Sequence, residues 1–142
     1  MKTEKSCGII PYLFKDNEIY ILLIKQTNGI VGFPKGHCES GETEQETALR
    51  ECFEETHTKV SIADGFRETT TYFMSEYNAY KTVVFFIGKI ETNDFQKQEK
   101  EISEIYLSKM DEALNIISYD DTKELLLKAK VFLEQRNGIK KV

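Results

Sequence analysis

The apolar positions of this chain follow two rhythms. Residues 7–14 and 18–25 carry strand-like patterns, and the second is apolar without a break from Ile19 to Ile24, as in a strand covered on both faces. Asp16-Asn17 supplies a turn between them. Pro11 lacks an N–H for a ladder, so it is expected to place the first strand at an edge or a bulge. Residues 26–42, with Gly29, Gly32, Pro34, Gly36 and Gly41, read as a loop. Residues 43–56 then read as a helix, opened by Thr43 and Glu46 at capping-box spacing. Residues 66–73 and 81–90 read as strands joined by a hairpin loop at 75–80. A polar loop at 93–100 leads to a further strand at 101–107. A short helix at 111–117 and a longer one at 121–135 follow, the longer with Leu125, Leu126, Ala129, Phe132 and Leu133 on one face. Strands, helix, strands, helices predict an α+β fold with a mixed sheet packed between helices.

One domain spanning residues 1–142 is expected, with a short tail after the helix stop at Asn137-Gly138 that includes Lys140-Lys141. Apolar residues at 40% and charged residues at 30% exclude a disordered or collagenous chain. The formal charge of −5, from 24 acidic and 19 basic residues, argues against a DNA-gripping face. It permits a small polyanion if a divalent cation neutralises the site. The longest apolar runs, 19–24 and 83–87, are too short to span a bilayer, so no membrane partner is expected. The N-terminal MKTEKSCG has no apolar signal core, and cytoplasmic residence is expected. Cys7, Cys38 and Cys52 form no CxxC pair and are odd in number, which disfavours a disulfide framework or structural zinc. With only His37 and His57, a histidine-based metal site has little material.

The chemistry concentrates at 36–58, GHCESGETEQETALRECFEETHT. On a helix, Glu51, Glu54 and Glu55 stand at i, i+3 and i+4 on one face, and Glu44 extends the acidic row. Ala48, Leu49, Cys52 and Phe53 share another face, suited to packing on the sheet. Arg50 is the only basic residue in the helix. Three carboxylates on adjacent turns repel by roughly 0.2–0.5 kcal/mol per pair when exposed. A solvated acidic face is the ordinary outcome of such a pattern. Mg²⁺, which seeks hard oxygen ligands, is the natural compensation here, and the Gly-rich loop before the helix could bring a bare backbone carbonyl close to it.

Gly36, five residues, Glu42, seven residues, then Arg50-Glu51, two residues, and Glu54-Glu55 resemble the signature box of the Nudix hydrolases. The resemblance implies an α/β/α sandwich and Mg²⁺-dependent hydrolysis, with Mn²⁺ as a substitute. It implies metal ligation by the Gly36 carbonyl and by Glu51, Glu54, Glu55 and Glu101. It makes Glu51, with Glu54 and the orienting Arg50, the catalytic set. The box departs from the family at its end, where His57 and Thr58 replace a Gly and an aliphatic residue. That Gly ordinarily ends the helix in a left-handed turn, which His tolerates better than most residues at some cost, so the box is read as having a changed helix end with the carboxylates intact. Cys52 replaces a larger aliphatic residue.

The likeness extends beyond the box. Phe33-Pro34-Lys35-Gly36-His37, Thr47-Ala48-Leu49-Arg50-Glu51, Gly65-Phe66, Lys81-Thr82-Val83 and Tyr119-Asp120-Asp121 are similar to the diadenosine tetraphosphate hydrolases of the animal and prokaryotic type. Val31 departs from them, standing where many relatives carry an aromatic residue. That branch implies asymmetric cleavage to ATP and AMP. It implies phosphate contacts from Lys35, His37 and Lys81, and stacking of adenine on Tyr72 and Tyr119. A monomer acting on a nucleotide or dinucleoside polyphosphate is expected. The alternatives are an RNA 5′-pyrophosphohydrolase, a nucleoside triphosphate pyrophosphatase, and a non-catalytic nucleotide sensor. The intact carboxylates weigh against the sensor.

Overall fold

A computed structural model describes residues 2–92 and 94–138, with Lys2, Thr3 and Tyr72 placed by their backbones alone. The elements run β1 (Lys2–Lys15), β2 (Glu18–Gln26), β3 (Val31–Gly32), β4 (Lys35–His37), α1 (Glu44–Thr56), β5 (Val60–Ile62), β6 (Glu68–Met74), β7 (Ala79–Ile90), β8 (Ile102–Lys109), α2 (Met110–Ile116) and α3 (Asp120–Arg136). The expected Lys140-Lys141 tail lies outside the described residues.

The eight strands form one mixed sheet. β1 runs parallel to β7 from Lys2↔Ala79 to Tyr12↔Lys89, and the other pairings are antiparallel. β1 and β2 pair only from Tyr12↔Ile21 to Lys15↔Glu18. Beyond that they separate, and residues 31–37 fill the wedge, β3 pairing with β2 and β4 with β1. Gly8 makes this possible. A Cβ there would lie 2.6 Å from the Pro34 carbonyl oxygen and 2.7 Å from the Phe85 ring, so only a bare backbone admits the loop.

Pro11 does not mark an edge. It sits in the interior strand β1, opposite Gly88 of β7. On the other side of β1, Ile9 donates to Pro34 O at 3.1 Å, and pairing with β2 resumes at Tyr12. The N–H groups of alternate residues share a side, so the missing donor of Pro11 falls where β1 changes partners and costs no ladder bond. β3, β4 and β5, each two or three residues long, carried too little periodicity to stand out from loops.

Alternation along β1 and β7 sends side chains to two layers. Cys7, Ile9, Val84 and Phe86 meet Ala48 and Cys52 of α1. Ile10, Tyr12, Val83, Phe85 and Ile87 meet Met110 and Ala113 of α2 and Leu125, Leu126, Ala129 and Leu133 of α3. The helices therefore cover both faces, as the element order predicts. The apolar face expected for α3 is the buried one, with Phe132 half-buried at its margin against Phe66. Leu49 does not pack on the sheet as expected; it is exposed, while Thr47 takes the buried position beside Ala48. All three cysteines are free, and Cys7 Sγ lies 3.2 Å from Cys38 Sγ. No helix among the described residues is long and apolar enough to cross a membrane.

Candidate active site

α1 is held rigidly at both ends. Thr43 and Glu46 form the expected capping box: Thr43 N donates to Glu46 Oε1 at 2.8 Å, and Glu46 N donates to Thr43 Oγ1 at 3.1 Å. Glu44 does not extend the acidic row. Arg67 grips it with two bonds of 2.9 and 2.8 Å, and Lys5 adds an ion pair at 2.5 Å, fastening the first turn to β1. These cations hold the Glu44 carboxyl down at about 2. At the other end His57 adopts a left-handed conformation, with φ 57°, so the helix end keeps the turn a Gly would make.

Arg50 organises the acidic face. Its Nε and Nη2 donate to the two Glu42 oxygens at 2.7 and 3.0 Å, a fork-to-fork pair. Nη2 also donates to the His37 carbonyl at 3.0 Å. Nη1 reaches Glu54 at 3.2 Å and Glu51 at 3.3 Å. Glu42 accepts in addition from Thr47 Oγ1 at 2.8 Å and Glu39 N at 3.1 Å. Bonds to Arg50 and Thr47 hold its carboxyl down at about 2. Glu42 therefore locks Arg50, and Arg50 in turn fixes β4 through His37. Sequence reasoning gave Glu42 only a place in the spacing. The signal that could have found its role is the single arginine available to so many glutamates.

β4 brings the two halves of the site together. Gly36 faces α1, and the space a Cβ would occupy holds the Glu51 carboxylate. The adjacent Lys35 donates its backbone N–H to Glu55 Oε1 at 2.9 Å. Glu55 is buried, and burial pushes it up to about 8, with the charges of Glu51 and Glu101 adding to the rise. Glu51 is also raised, first by burial, with Glu54 and Glu101 opposing its charge and Arg50 favouring it. Glu101 thus stands close enough to act on both helix carboxylates from outside the helix.

Among the described residues, no three His, Cys, Asp or Glu side chains converge tightly enough to hold a metal ion as they stand. Glu54 is turned to Arg50 and is half exposed. The donor set nevertheless fits a hard divalent cation. Glu55 is buried and Glu51 partly buried beside it, both with raised proton affinity despite Arg50 and Lys35, and the cradle over Gly36 already seats a carboxylate against bare backbone.

The Lys35 side chain lines a cavity of about 570 Å³ in the sheet wedge, under the start of α3. Lys81, Thr70, Tyr119 and Asp121 also line it, over a floor of Phe33, Val83 and Phe85. Burial pulls Lys35 down to about 8, and the neighbouring Lys81 charge lowers it further, whereas Glu55 and Glu51 oppose the drop. Two cations forced together are the electrostatic complement of a polyanion. Tyr119 is 55% exposed at the cavity lip. The backbone of Tyr72 lies opposite Lys81 in the β6–β7 register, and its side chain is outside the described set. His37 is exposed, and the contact it makes to the site is its carbonyl.

The family model for the NUDIX domain matches residues 3–129. The chain is 31% identical to the pig bis(5′-nucleosyl)-tetraphosphatase [asymmetrical], over 91% of this chain and 95% of that one. It is 28% identical to the rat protein of that name over the same shares. The crystal structure of a binary complex of the Caenorhabditis elegans Ap4A hydrolase superposes with a TM-score of 0.85 at 26% identity, covering 93% of this chain and 98% of that one.

Proposed function

The chain belongs to the Nudix hydrolase family, and we propose that it hydrolyses a dinucleoside polyphosphate, cleaving diadenosine tetraphosphate to ATP and AMP. The observation that carries this reading is the junction at β4, where one three-residue strand joins the carboxylate face of α1 to a cavity with paired lysines. The names of the pig, rat and nematode relatives support the substrate.

The residues divide the work by position. Lys35 and Lys81 hold the polyphosphate by charge at the cavity wall. Tyr119 offers a face for adenine at the cavity lip, and Tyr72 is assigned the same role. Glu51, Glu55, Glu101 and the Gly36 carbonyl would hold Mg²⁺ or Mn²⁺, with Glu54 joining them on leaving Arg50. Bound there, the cation supplies Lewis-acid stabilisation of charge on the phosphates and a more acidic water. Glu51 accepts the proton of the attacking water at a carboxylate oxygen, from its seat against the bare Gly36 backbone. Arg50, locked by Glu42, keeps the carboxylates and β4 in register. The family match over residues 3–129 supports reading residues 1–142 as one domain, and we take it to act as a monomer in the cytoplasm.

Incubation with diadenosine tetraphosphate and Mg²⁺ in ¹⁸O-labelled water tests the proposal. ATP plus AMP, with one label in one product, is expected. Two ADP would overturn asymmetric cleavage. Cleavage of triphosphorylated RNA or a nucleoside triphosphate in place of the dinucleotide would move the substrate class.

A further inference from the structure

We propose that His57 is a positioning residue, which fixes Glu101 against the α1 carboxylates by strapping the 94–98 loop across the end of the helix. The inference rests on the reading of Glu101 as a metal ligand and adds the device that places it.

His57 occupies a left-handed C-cap, φ 57° and ψ 30°, and its N–H closes onto Phe53 O at 2.8 Å. A side chain there is strained relative to glycine, so the ring has to be useful for the position to make sense. The ring does two things. It stands edge-on to Phe53, with centroids 4.5 Å apart. Its Nδ1 donates to the Asp94 carbonyl at 3.3 Å, with the Asp94 carboxylate 3.8 Å away.

Asp94 begins a segment laid over the last carbonyls of α1. Gln96 N donates to Thr56 O at 2.9 Å, and Gln98 N donates to Glu55 O at 3.1 Å. These are carbonyls a helix end leaves without partners. The Gln98 bond fixes the backbone of Glu55, the buried carboxylate of the site. The same segment then delivers Glu101. Ile102 N donates to Gln98 O at 2.9 Å, and Thr27 N donates to Glu101 O at 2.9 Å. Glu101 is therefore pinned between β2 and the strap, with its charge felt at both Glu51 and Glu55. His57 is the side chain that ties the start of this strap to the helix. A glycine would give a less strained turn and leave Asp94 without that tie.

The test compares His57→Gly, Glu101→Gln and the double variant, each without substrate. Mg²⁺ alone is titrated calorimetrically, and amide hydrogen exchange is followed at Gln96 and Gln98 with Cys52 as the internal control. For His57→Gly, exchange at Gln96 and Gln98 should quicken about tenfold, with Cys52 unchanged and Tm held. Mg²⁺ affinity should weaken several-fold, within the about 10–100-fold range of ligand-orienting residues. In the Glu101→Gln background, His57→Gly should change Mg²⁺ affinity no further, because the ligand it positions is gone. Wild-type Mg²⁺ affinity in His57→Gly, with Glu101→Gln weakened, overturns the strap and leaves the Glu101 reading standing. Wild-type affinity in Glu101→Gln overturns that reading and the proposal with it. Fully additive losses in the double variant, or weakened affinity with unchanged exchange, also refute the route through the strap.

Discussion

Replacing Gly36 with Ala should impair catalysis far more than folding. The added Cβ would land on the Glu51 carboxylate, whereas real Cβ atoms essentially never come within 3.0 Å of a neighbour. The carboxylate must therefore retreat about 1 Å or more, and a misplacement of that size costs on the order of 10²-fold in rate. That is ~2.7 kcal/mol of transition-state stabilisation. The stability cost is much smaller. The obstructed atoms are the far end of a flexible side chain, so the strain lies at the low end of the ~1–3 kcal/mol typical of overpacking. Ala in a strand regains about 0.5–1 kcal/mol of backbone entropy relative to Gly. Tm should thus stay within about 4 °C of the wild type. The assay is kcat on diadenosine tetraphosphate at saturating Mg²⁺, beside a thermal melt. A Gly36→Ala protein that folds and turns over within about threefold of the wild type would refute the reasoning, because Glu51 could then work from another position.

Other consequences of the site can be measured independently. Glu51→Gln should keep the fold and lose most of the rate; wild-type turnover in that variant would remove Glu51 as base and principal ligand. Tyr119→Ala should raise KM about 5- to 150-fold with a smaller change in kcat, the size expected from ~1–3 kcal/mol of base stacking; an unchanged KM would place the base elsewhere. Glu44 titrates low because Arg67 and Lys5 bond it, so its stabilising contribution is complete above its ordinary value of 4.5 and is lost as pH falls through about 2. Glu44→Gln should therefore lower Tm at pH 7 and leave it nearly unchanged near pH 2, as a pH series of melts would show. Chelation with EDTA should abolish turnover while circular dichroism stays native-like, and Mg²⁺ should restore it.

Local rules were enough to read α1 from the chain. Its cap and acidic face, like the apolar stripe of α3, depend on spacings of a few residues, which the sequence displays directly. The acidic face pointed to a divalent cation for the same reason, and the resemblance to the Nudix box added the phosphate substrate. Where tertiary partners decide, the chain was silent or misleading. Pro11 looks like an edge residue until β1 is seen to change partners beside it. Leu49 looks like core until Thr47 takes the inner position. Glu44 looks like part of the acidic row until Lys5 and Arg67, from β1 and the segment before β6, claim it. Glu42 gains its role only when the loop folds back on Arg50, and the lysine pair forms only when the wedge between β1 and β2 seats β4 along one edge of β1 while β7 runs along the other. A sequence records which groups a helix or strand presents at short range. Charge pairing and burial between distant segments exist only once the sheet has set which segments are neighbours.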